Sequence, residues 1–171
     1  MSYEKTVWAG EGTLAREQEY NYHWCYERGI ITKAWLDVYA ATGDRRFYDA
    51  AKANVDQYVT DGEILTYEPD KYNLDMICMG RTALRLFKAT GEAKYEKACR
   101  RLIEQIKGQP TTAEGGFWHK KLYPQQMWLD GIYMACPFLT EFAVTFGEMQ
   151  RADLAAKQMT LIFDKTRLES G

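Results

Sequence analysis

Three acidic residues share a register that could gather them at one site. Glu27 stands in Tyr26-Glu27-Arg28-Gly29, Asp75 in Tyr72-Asn73-Leu74-Asp75, and Asp130 in Met127-Trp128-Leu129-Asp130-Gly131. The steps between them, 48 and about 55 residues, match an internal repeat. Carboxylates crowded into a partly dry cleft raise one another's pKa, so one of them could stay protonated near neutral pH. Such a group can act as a general acid. Acids are also favoured in the first turn of a helix, where they complement the dipole. The competing reading is therefore plain helix capping. Three acids together, each beside aromatic residues, weigh toward a site.

His119 and Lys120 lie in the loop Gly115-Gly116-Phe117-Trp118-His119-Lys120-Lys121, shortly before Asp130. A lone histidine can equally be structural or solvent-exposed. Trp118 and Trp128 fall in a loop or at a helix start and could stack on a sugar ring, whereas Trp35 reads as core. Aromatic residues make up 14% of the chain, with 12 Tyr and 5 Trp, which suits a carbohydrate cleft as well as a large core. Other chemistries find little support. Gly10-Glu11-Gly12 has no strand before it, so it is a poor phosphate loop. No G-x-S-x-G or paired Cys/His nucleophile stands out. Cys25, Cys78, Cys99 and Cys136 are scattered without a C-x-x-C and share the chain with only 2 His, so no structural zinc is expected. They read as reduced, mostly buried thiols of a cytoplasmic protein.

The elements that must position these residues come from the repeat. Ala41-Thr42-Gly43-Asp44 recurs as Ala89-Thr90-Gly91-Glu92, and Phe142, Phe146 and Gly147-Glu148 mark a weaker third copy. Each unit reads as two helices joined by a tight turn, with Gly43 ending the first and Asp44 capping the second. The hairpins span about 22–59, 75–107 and 126–165. The first helix of each pair is apolar nearly all round, so it is expected to be buried on both sides. The second carries a charged face. This inner-and-outer layering is the pattern of an all-α, α/α toroid. The long connections 60–72 and 108–124 lead into inner-helix starts and should share one face.

Composition agrees with one soluble domain over residues 1–171. Hydrophobic residues make up 46% and charged residues 27%, with 22 basic against 24 acidic side chains. No basic face points to nucleic acid. No apolar stretch approaches a membrane span. The start, Met1-Ser2-Tyr3-Glu4-Lys5, lacks the pattern of a signal peptide, so a cytoplasmic location is expected.

The stretches around Glu27, Asp75 and Asp130, together with Glu114-Gly115-Gly116-Phe117-Trp118-His119-Lys120-Lys121, resemble glycoside hydrolase family 105, the unsaturated rhamnogalacturonyl hydrolases. The resemblance runs over nearly the whole chain. It implies an (α/α)6 toroid of which three hairpins, the N-terminal half, are present here. It implies a substrate made of short pectin fragments ending in a uronic acid with a C4=C5 double bond, hydrated without metal or cofactor. By motif, Asp130 corresponds to the catalytic proton donor. Asp75, His119, Lys120, Tyr26 and Trp128 correspond to substrate-binding positions. The chain departs from the family in Met76-Ile77-Cys78-Met79-Gly80, where an Asn-rich turn is expected, and in spanning half the family's length. A half toroid would expose apolar flanks, so a homodimer closing the ring is expected. The alternatives are a half-barrel that associates without turnover and, last, a helical-repeat binding module.

Overall fold

The computed structural model describes residues 23–168, and the Gly10-Glu11-Gly12 stretch and the N-terminal segment lie outside them. Among the described residues there are six α-helices and, apart from two isolated β-bridges, no strand. The helices are α1 (Tyr26–Thr42), α2 (Arg45–Asp56), α3 (Gly80–Thr90), α4 (Ala93–Gly108), α5 (Leu129–Phe146) and α6 (Gln150–Thr166). They form three hairpins, α1–α2, α3–α4 and α5–α6, and the inner helices α1, α3 and α5 pack side by side.

The repeat is visible in the turns. Gly43, Gly91 and Gly147 all adopt left-handed backbone, with φ of 72°, 70° and 71°. This conformation is open to glycine at little cost, and it turns each N–H back onto a carbonyl of its own helix. Asp44 then caps α2, its carboxylate accepting from the Arg46 amide at 3.1 Å. The outer helices α2 and α4 bury one stripe, including Phe47, Ala51 and Val55 on α2 and Tyr95, Leu102 and Ile106 on α4.

Close approach of the hairpins rests on small residues. A Cβ on Gly29 would lie 2.8 Å from the Met79 amide nitrogen and 2.9 Å from the Cys78 carbonyl carbon. One turn on, the buried hydroxyls of Thr32 and Thr82 meet at 2.8 Å. Arg85 of α3 reaches Asp37 of α1 at 2.6 Å and Glu141 of α5 at 4.0 Å, tying all three inner helices together on the exposed side.

Two expectations need correction. The second inner helix does not begin at Asp75. Asn73 instead caps a 3-10 turn, Leu74–Ile77, by accepting from the Asp75 amide, and α3 starts at Gly80. Similarly, α5 starts at Leu129 rather than Gln126. The inner helices are also not buried all round. Ile30 on α1 and Leu129, Tyr133 and Val144 on α5 are exposed. They lie on the first and last inner helices, which among the described residues have another inner helix on one flank only.

The two long loops are held by buried glutamines. Gln109 donates to the carbonyls of Tyr72 and Trp118, both at 2.8 Å. Gln105 donates to the Asn73 carbonyl and accepts from the Tyr67 hydroxyl. Gln158 of α6 accepts from the Phe117 amide and donates to the Gly115 carbonyl. Buried loop backbone must be hydrogen-bonded, and side-chain amides supply both donor and acceptor. Trp24, fully buried, adds a bond from its indole N–H to the Met76 carbonyl at 2.6 Å.

Candidate active site

The loops at 69–74 and 117–126 are zipped together. The Leu74 amide donates to the His119 carbonyl, the Lys121 amide to the Lys71 carbonyl, and the His119 amide to the Gln126 carbonyl. These bonds fix the backbone on both sides of His119 and deliver Asp75, at the start of the 3-10 turn, to its side chain.

His119 is the centre of the cluster and is 1% exposed. Its Nε2 lies 3.2 Å from Asp75 Oδ1 and 3.8 Å from Asp130 Oδ2. Lys120 Nζ takes the other oxygen of Asp75 at 2.6 Å. The two acids are therefore treated differently. Asp75 is buried and engaged at both oxygens. Asp130, in the first turn of α5, keeps a side chain 52% exposed, and no lysine or arginine among the described residues pairs with it.

Burial works to raise the Asp75 carboxyl, but hydrogen bonds and charge from His119 and Lys120 prevail and hold it below the usual carboxylate range. The mutual raising expected of crowded acids is thus not what Asp75 shows. Its partners keep it ionised at neutral pH.

Tyr26 and Glu27 open α1 at the same mouth. Both are exposed. Glu27 beside it pushes the Tyr26 phenol up, and the charges of Asp75 and Asp130 add to the effect. Glu27 does not join the others at His119. The Asp75, His119 and Asp130 donor atoms lie within 4.8 Å of one another, and this is the one such grouping among the described residues. Three donors of this type are a possible cation set, but Lys120 already supplies the positive charge at Asp75.

Trp128 does not stand free. Its indole stacks on the His119 imidazole, with centroids 4.4 Å apart and planes at 8°, and on Tyr123 at 4.9 Å and 18°. The sugar platform expected at Trp128 is thus already engaged by two protein rings. Trp118 is half-buried. His119 Nδ1 faces the backbone of Gly131, where a Cβ would come within 3.1 Å, and it has no hydrogen-bond partner.

The sequence reading missed Gln109, Tyr123 and Gly131 as supports of the site. Gln109 carries no local signal, because its partners are loop carbonyls distant in sequence. Gly131, directly after Asp130, was visible in the motif and is explained by the ring it leaves room for. The cysteines are all free, three of them buried, and burial pushes the Cys25 and Cys78 thiols up to about 11. No helix among the described residues is long and apolar enough to cross a membrane.

Comparison with known proteins supplies the wider context. A family model described as Glycosyl Hydrolase Family 88 matches residues 5–169. Among solved structures, the chain is similar to a family 105 glycoside hydrolase of C. acetobutylicum ATCC 824, with 34% sequence identity and a TM-score of 0.84. That match covers 94% of this chain and 44% of the other, so the chain spans less than half the length of this neighbour.

Proposed function

The chain belongs to glycosyl hydrolase family 88, and from that premise we propose that it acts on unsaturated uronyl oligosaccharides derived from pectin. The reaction is hydration of the C4=C5 double bond, which releases the terminal uronyl residue as an open-chain keto acid. The observation that carries this reading is the unequal pair at His119. One carboxylate is locked as an anion, and the other stands open at the mouth.

In this mechanism Asp130 delivers its proton to C4 of the enol ether, and positive charge develops at C5 and the ring oxygen. Water adds at C5 and passes a proton to the Asp130 carboxylate, which restores the acid. The hemiketal opens, and the C1 hemiacetal so formed expels the neighbouring sugar. One water is consumed and no electrons are exchanged. Proton transfer by a positioned acid typically contributes about 10²- to 10⁴-fold. Asp75, Lys120, His119 and Tyr26 hold the uronyl group, and the ionised Asp75 stabilises the developing positive charge.

The far wall of the site falls to a second copy of this chain. Leu129, Ile132, Tyr133, Pro137 and Met159 line an apolar groove of about 580 Å³ on the outer flank of the last hairpin. Exposed apolar surface of this kind marks an interaction face. A half-barrel that associates without turnover is the rival reading, and the same exposed flank favours it equally. Loss of enol-ether ultraviolet absorbance separates the two. The hydration reading expects loss that Asp130→Asn abolishes, while a silent half-barrel gives no loss with either chain.

A further inference from the structure

We propose that Trp128 is a positioning residue that acts through His119 rather than a platform for sugar. Stacked aromatic pairs at this separation attract one another beyond what burial alone provides. Here the ring so held is the one whose Nε2 faces both carboxylates. Tyr123 extends the stack, and the Gly131 backbone closes the opposite edge of the imidazole. The imidazole has little freedom to tilt. Its tautomer is also set. An Nδ1–H would be a buried donor without an acceptor, whereas Nε2 has Asp75 Oδ1 within 3.2 Å. The stack therefore holds the plane, and Asp75 selects the donor atom, of the ring that ties Asp75 to the neighbourhood of Asp130.

The test begins without substrate, because the chain contains only 2 His. Imidazole-labelled protein gives two sets of ¹⁵N and ring-proton signals, from His23 and His119. The expected His119 pattern is the Nε2–H tautomer with ring protons shifted by the indole. Trp128→Leu should loosen the Nε2–Asp75 contact and move the His119 ¹⁵N shifts toward the average of the two tautomers, Tyr123→Leu should do so in part, and Trp128→Phe should retain the parent ¹⁵N shifts, whereas the ring-proton shift reports only the presence of the indole. Unchanged His119 ¹⁵N shifts in Trp128→Leu would overturn the proposal. The kinetic arm rests on the proposed hydration activity. Misplacement of a site group commonly costs on the order of 10²-fold. Trp128→Leu should lower kcat about 10- to 100-fold with little change in KM, and Trp128→Phe should rescue it. A rise in KM at unchanged kcat would make Trp128 a sugar platform and overturn the positioning role. If the parent chain shows no turnover, the hydration reading fails and the His119 spectra alone decide the clamp.

Discussion

Asp75 and Asp130 have the same side chain, yet their surroundings assign them different behaviour. Asp75 is buried with a donor at each oxygen, so its carboxyl titrates below the ordinary range. A depressed carboxylate contributes stability above its unfolded pKa of about 3.9 and loses it as pH falls through the folded value. Asp75→Asn should therefore be less stable than the parent at pH 7. The difference should shrink as pH is lowered below about 4. Urea unfolding at several pH values checks this, and a gap that stays constant down to pH 3 would contradict it. Lys120→Met should behave in the same way, because it strips one partner from a buried charge. The motifs made Asp75, Asp130, His119 and Lys120 visible in the sequence. Tyr123 and Gln109 were not, because a stacking partner and a loop-bridging amide are chosen by tertiary placement and leave no spacing signature.

At the scale of elements, the hairpin repeat could be read from Gly43, Gly91 and their flanking residues, because a glycine at a helix end has a local physical cause. The start of α3 could not. Leu74-Asp75-Met76-Ile77 has helical spacing, but Asn73 caps it into a 3-10 turn, and Asp75 is fixed there by partners from another loop. The close contact at Gly29 gives a direct prediction. Gly29→Ala places a methyl group within 2.9 Å of backbone atoms of Cys78 and Met79, which cannot rotate away. It should destabilise the chain by about 1–3 kcal/mol, the range for overpacking. Denaturant midpoints check this, and an unchanged midpoint would show that the α1 and α3 hairpins are not packed this closely.

The whole molecule presents three hairpins of a ring with an apolar outer flank. Composition and periodicity revealed the helical layering, but the inner helices are less buried than their apolar sequences suggest, because among the described residues α5 has another inner helix on one flank only. If a second copy covers that flank, sedimentation should give about twice the 19.8 kDa of one chain. Met159→Lys, at a residue 54% exposed, should shift the mass to that of a monomer while leaving helical circular dichroism intact. A parent chain that stays monomeric at high concentration would remove the second copy from the account.

The most direct measurement follows the ultraviolet absorbance of an unsaturated galacturonyl-rhamnose disaccharide on adding the purified chain. The account predicts a steady loss of enol-ether absorbance that falls at least about 10²-fold in Asp130→Asn, with helical content unchanged. Turnover that survives in Asp130→Asn would contradict the assignment of the proton donor. No loss with the parent chain would leave the fold and family in place and remove the activity.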